Sequence, residues 1–192
     1  MKIAVLAWGS LVSDPRGLQA VGAFVADGPL IPIEFCRVSH DGRLTLVIDE
    51  TFGAVCTTYS TLSAIESLDE AVENLRSGEG TNAEEIGFVD LASGAQSDVA
   101  MERHPQAVAT IAAWAKSNGY DAAIWTALAS NFEEQGGEPF SVTAAIRYLE
   151  SLESRDAEAF APALDDIRKA PVKVETPVRA EVAKRWPAQR LG

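Results

Sequence analysis

The chain has 192 residues, 47% hydrophobic and 23% charged, with a net charge of -12. Such a length and composition suit one globular domain with a core of ordinary size. The acidic balance argues against a nucleic-acid partner, which needs a basic face, and no apolar run approaches the roughly 18 residues of a membrane span.

Residues 3–8, Ile-Ala-Val-Leu-Ala-Trp, read as a buried strand that Gly9-Ser10 ends abruptly. Gly9 would let a ligand approach the backbone and tolerates a positive φ, and amides around such a turn can converge on an anion. A plain strand end has the same pattern. Asp14-Pro15-Arg16-Gly17 is a turn, and residues 18–24 read as a short helix or an irregular segment. Residues 33–39 alternate as a strand, His40-Asp41-Gly42 makes a hairpin turn, and residues 43–49 return as its second arm. Residues 54–59 form a further strand.

Ser63-Ala64-Ile65-Glu66 fits a capping box opening a helix whose apolar stripe is Ile65, Leu68, Val72 and Leu75 and which stops near 76–78. Glu79-Gly80-Thr81 then leads into a strand at 86–91, and residues 92–103 read as a connection. Pro105 suits the first position of a helix striped by Val108, Ile111, Ala112 and Ala115, with Asn118-Gly119 closing it. Residues 122–128 form a strand and 131–139 a polar loop. Ser141 caps a helix through Leu152, a second near 157–169 must accommodate Pro162, and Thr176-Pro177 starts a last one reaching about Trp186. Strands first and helices later favour α+β over a doubly wound sheet. The expectation is one domain over 1–192, with a strand-rich core at 1–91 and helical additions with one further strand at 92–192.

The final stretch is basic: Arg168, Lys169, Lys173, Arg179, Lys184, Arg185 and Arg190 stand against Glu175 and Glu181. A basic tail on an acidic body folds back on that body or on a twin subunit, which would make a homodimer. Cys36 and Cys56 give neither a disulfide framework nor metal-ligand spacing, and the chain opens without a basic leader. Both features point to the cytoplasm.

Four constellations carry candidate chemistry. Glu79, between Gly78 and Gly80, is either a solvated turn residue or a carboxylate open to substrate, and burial beside apolar walls would make it a base near neutrality. Cys36 and His40 share a strand face but stand roughly 13 Å apart, too far for a nucleophile–base pair, so the cysteine reads as structural. Glu133, Glu134 and Glu138 match no calcium loop and read as a solvated loop or a lid. Of the four tryptophans, Trp8 adjoins the Gly9-Ser10 turn, while Trp114, Trp125 and Trp186 read as core.

Ala7-Trp8-Gly9-Ser10-Leu11 resembles the Tyr-Gly-Ser-Leu or Tyr-Gly-Ser-Asn signature of the gamma-glutamylcyclotransferase-like proteins, and it lies, as there, on the first strand. Leu68-Asp69-Glu70 followed by Glu79-Gly80 is similar to that family's Leu-Asp, then Glu-Gly segment, and the resemblance spans roughly residues 1–91. It implies a small mixed β-barrel with flanking helices, here with an enlarged helical C-terminal half. It also implies that Gly9, Ser10 and Leu11 bind the carboxylate of a gamma-glutamyl group, that Trp8 stands where the family has tyrosine, and that Glu79 is the general acid/base. The substrate would be a gamma-glutamyl amine or peptide, cyclised to 5-oxoproline without metal or organic cofactor. The spacing from Asp69 to Glu79 exceeds the family's, so Glu70, Glu84 and Glu85 stay open as alternatives to Glu79. The other readings are different amide chemistry on the same fold, and a non-catalytic small-molecule-binding or interaction protein.

Overall fold

The structure, a computed structural model, describes residues 1–187. Arg190 of the basic tail lies outside the described residues. The fold is α+β, with two sheets and seven α-helices among the described residues.

The first sheet is built on β1 (Ile3–Ala7), every residue of which is buried. Its side chains alternate, as a pleated strand requires. Ile3, Val5 and Ala7 pack toward α1 (Leu68–Glu79), while Ala4, Leu6 and the following Trp8 face the second sheet and α3 (Pro105–Ser117). Around β1 lie β2 (Ala20–Val25), β6 (Tyr59–Ser63), β7 (Ile86–Asp90) and β8 (Ala122–Thr126), in the order β2-β6-β1-β8-β7. β1 and β8 pair in parallel, Ile3 opposite Ala122, while the other pairs are antiparallel. The second sheet has the order β4-β3-β5, from β3 (Leu30–Val38), β4 (Leu44–Ile48) and β5 (Ala54–Thr57), all antiparallel. Its far face carries α4 (Phe132–Gly136), α5 (Val142–Arg155), α6 (Ala157–Arg168) and α7 (Pro177–Arg185), packed on Phe35, Val38, Leu44 and Val47.

Neither sheet closes into a barrel among the described residues, so the expected barrel takes the form of two open sheets. The strand expected over 54–59 is two strands, β5 in one sheet and β6 in the other, and the chain changes sheets at Thr58. The Thr58 hydroxyl donates to the Pro29 carbonyl at 2.8 Å, and Gly28 lies so close that an added Cβ would overlap the Thr58 side chain. The corner keeps its backbone paired, the Gly28 amide donating to the Thr58 carbonyl at 3.1 Å and the Thr58 amide to that of Pro29 at 3.3 Å.

Further differences have local causes. Residues 18–24 are largely an edge strand, β2, bent by Gly22 at φ +87°. Ser63 ends β6 and accepts from the Ile65 amide, so it caps no helix; α1 begins after Ser67 and runs through Glu79 to a left-handed Gly80. α2 (Asp98–Arg103) interrupts the expected 92–103 connection, and α4 the 131–139 loop. There Glu133 and Glu134 sit in a helical turn, and Glu138 pairs with Arg147. Trp125 is fully buried, whereas Trp114 and Trp186 are half-buried. No helix among the described residues is long and apolar enough to cross a membrane. Part of the basic tail folds onto the body, Arg185 pairing with Glu150 of α5; the Arg179 guanidinium braces the tail itself, donating to the carbonyls of Arg168, Ala170, Pro171 and Val174.

Candidate active site

A cleft of about 700 Å³ opens between the two sheets at the C-terminal end of β1. Trp8, Gly9, Ser10, Leu11 and Glu79 all line it, so the structure brings the five residues singled out in the sequence to one place. β4 and the C-terminal end of α6 form the opposite wall, with Arg43, Asp166 and Lys169 at its rim.

The near wall starts where β1 runs out of partners. Gly9 sits at φ -120°, so the positive φ allowed for it in the sequence is unused; the space where its Cβ would stand is empty. A short 3-10 turn, Ser10–Val12, follows, in which the Val12 amide donates to the Gly9 carbonyl and the Ser13 amide to that of Ser10. Among the described residues, the Ser10 and Leu11 amides have no protein acceptor. Trp8 is buried, and its indole N–H donates to the Leu46 carbonyl of β4 at 3.4 Å. Its polar edge therefore binds the two sheets together and leaves the ring as a wall.

Glu79 reaches the cleft as the last residue of α1, with 19% of its side chain exposed. The left-handed Gly80 (φ +63°) ends the helix there and turns the chain away, a conformation in which glycine bears no steric penalty. Burial pushes the Glu79 carboxyl up from its ordinary range; the Arg16 guanidinium pulls it part of the way back, and Asp14 pushes it up again. Of the alternatives, Glu70 lies with Asp69 and Glu73 in a separate open groove on α1, and Glu84 is exposed. Glu85 does line the cleft, and its carboxylate accepts from the Thr81 hydroxyl.

Arg16 is the residue that sequence reasoning missed. Its guanidinium bridges the two halves of the near wall, with Nη1 3.4 Å from Glu79 Oε1 and Nη2 donating to the Ser10 hydroxyl. Its backbone is left-handed (φ 47°), the one non-glycine residue with positive φ among the described residues. Such a conformation is uncommon and persists where surrounding contacts enforce it. Here Asn74 of α1 supplies them, accepting from the Gln19 amide and donating to the Gly17 carbonyl, so that the turn is held against the helix. Gly78 permits this approach, since a Cβ there would stand 3.1 Å from the Arg16 carbonyl. An arginine placed six residues after the Gly-Ser pair was visible in the sequence, but nothing local said that the turn folds back onto α1.

The cleft is richer in cations than the acidic chain around it. Arg37 of β3 donates to the Ala129 carbonyl at 2.8 Å and has no carboxylate within 4.0 Å among the described residues. Arg43 pairs with Asp41 and Asp166, and Lys169 with Asp165. Uncommitted amides, cations and one buried carboxylate together suit a small ligand bearing an anionic group and a transferable proton. Cys36 lies apart from this chemistry: burial and the neighbouring Asp49 raise its thiol far above the ordinary range, so it stays protonated and inert. His40 is exposed at the hairpin tip. No known family, curated protein or solved structure matches the chain, so its function has to be read from the cleft itself.

Proposed function

We propose that the cleft cyclises a gamma-glutamyl amine or peptide to 5-oxoproline, in the manner of the gamma-glutamylcyclotransferase-like proteins whose signature the first strand resembles. One observation carries the reading: a largely buried carboxylate, Glu79, shares a cleft with the uncommitted Ser10 and Leu11 amides. The open two-sheet architecture departs from that family's barrel, so the reading rests on the site and not on the fold.

In this reading the substrate's α-carboxylate docks at the Gly9–Leu11 turn. Glu79, made more basic by burial, takes a proton from the α-ammonium. The freed amine attacks the γ-carbonyl carbon and a five-membered ring closes. As the bond from that carbon to the departing nitrogen breaks, protonated Glu79 returns its proton to the leaving amine; the ring nitrogen then gives up its second proton through the same carboxylate, leaving the lactam N–H and an amine that departs as its ammonium. Because the attack is intramolecular, the protein mainly folds the substrate and carries two protons in turn from the attacking nitrogen to the departing one. Trp8 and Leu11, both buried, supply apolar lining to the same cleft.

The test is release of 5-oxoproline from gamma-glutamyl dipeptides, gamma-glutamyl amines and glutathione by the wild type and by Glu79→Gln. Product from the wild type alone supports both reaction and base. Product from both moves the base to Glu85, the other carboxylate of the original set that faces the cleft. No product from any of them ends the cyclisation reading and leaves a small-molecule-binding protein.

A further inference from the structure

The Arg16 guanidinium stands between the two groups the proposed chemistry needs, touching Ser10 on one side and Glu79 on the other. Its hold on Glu79 is a single contact of 3.4 Å, long for a charged pair, and 37% of its side chain is exposed. Its backbone, by contrast, is braced: Asn74 bonds the turn to α1, and Gly78 leaves room for the Arg16 carbonyl. The fork also touches the Ser10 hydroxyl and, through Nε at 3.8 Å, Asp14, so Glu79 is one of three partners and can be exchanged while the others keep the guanidinium at the turn. A carboxylate entering beside Ser10 offers two oxygens in the plane the guanidinium prefers, which one Glu79 oxygen at 3.4 Å does not.

We propose that Arg16 is a ligand-carboxylate clamp that exchanges Glu79 for the carboxylate of the incoming molecule, so that binding itself releases Glu79. The ligand class follows: a small carboxylate, or a conjugate carrying one, enters with that group toward Ser10. The inference rests on the cyclisation reading only for the identity of the natural ligand.

The exchange has a readable sign. Around Glu79 the charged and titratable groups are Arg16 and Asp14 on the turn after β1 and Glu85 beyond α1, with Arg37, His40, Arg43, Asp166 and Lys169 on the far side of the cleft. Arg16 favours the ionised form of Glu79, and Asp14 opposes it. When Arg16 turns to a ligand carboxylate, Glu79 loses its nearest cation and gains an anion nearby, and both changes raise its proton affinity. The base therefore strengthens as the substrate arrives.

The probe is glutaramate, which carries a carboxylate and a terminal amide but no amine, so it cannot cyclise; glutaramide, without the carboxylate, is the control. Binding is measured by calorimetry on the full chain, and the Glu79 titration by carbon NMR of labelled glutamate, assigned through Glu79→Gln. The wild type should bind glutaramate and discriminate against glutaramide, and saturating glutaramate should move the Glu79 midpoint upward. Arg16→Gln should show a raised midpoint without ligand and bind glutaramate roughly tenfold or more weakly. Arg16→Lys, which keeps the charge but not the fork, should recover part of the affinity and also serves if the glutamine variant does not fold. Wild-type binding without a midpoint shift overturns the exchange, as does unchanged affinity in the folded arginine variants or failure of the wild type to bind glutaramate. Failure to form 5-oxoproline with a midpoint shift intact would sink the cyclisation reading and leave the exchange standing.

Discussion

Glu34 and Glu79 are two carboxylates that this fold withdraws from water, and they are held in opposite ways. Glu34, on β3, is 0% exposed. The Phe35 amide donates to its Oε1 at 2.7 Å and the Val178 amide to its Oε2 at 3.2 Å, with the Thr176 hydroxyl beside it. Burial raises its pKa, and all three donors pull it back. Glu79 is raised by the same cause, yet its recorded partner is a single arginine at 3.4 Å. Desolvation alone therefore does not mark a working carboxylate. Glu34 is enclosed by backbone donors that cannot leave, and it serves to seat the N-terminus of α7 on the second sheet. Glu79 faces a cleft and a side chain that can let go.

Substitutions can break that contrast, and the largest effect belongs to Glu79. If it is the base, Glu79→Gln lowers the rate of 5-oxoproline formation by about 10²–10⁴-fold. Its thermal unfolding midpoint should stay close to that of the wild type. Glu34→Ala should do the reverse, orphaning the Phe35 and Val178 amides in a buried site and costing about 3 kcal/mol. Urea unfolding measures that loss, and any activity of the folded fraction should keep its KM. Thr176→Ala strips a single partner from Glu34 together with the side-chain cap of α7, whose hydroxyl accepts from the Arg179 amide at 3.3 Å. The cost should be about 1 kcal/mol.

The smallest effect is in the pH dependence. A carboxyl whose pKa is raised by folding binds its proton more tightly in the native state than in the unfolded one. Its contribution to stability is thus fully present below its ordinary value of 4.5 and is lost as pH rises toward the folded value. Glu34→Gln removes that loss, so its stability deficit against the wild type should shrink as pH rises above about 4.5. A deficit constant across urea titrations at several pH values would show that Glu34 is not raised.

Where local pattern decided the structure, the chain was readable. The alternation in β1, the Asp41-Gly42 hairpin between β3 and β4, and the Ser141 cap of α5, which accepts from the Ala144 amide at 3.0 Å, all follow from neighbouring residues. So did the Gly9-Ser10 turn and the suspicion attached to Glu79. What escaped was long-range. Nothing near Ile3 says that it pairs in parallel with Ala122, and nothing in residues 54–63 says that the chain leaves one sheet for another at Thr58. Arg16 escaped for the same reason, because its partner Glu79 is 63 residues away and the contact depends on Asn74 and Gly78. β2 escaped because, as an edge strand with most of its side chains outside, it carries no buried stripe.

The corner at Thr58 also bears on selectivity. One residue joins β5 to β6, Gly28 is pressed against it, and the Trp8 indole ties the end of β1 to the Leu46 carbonyl. The two walls of the cleft are thus joined at two points, which favours one width for the gap between them. Adjustment to size falls to the side chains along the rim, which makes the cleft a gauge and not a clamp.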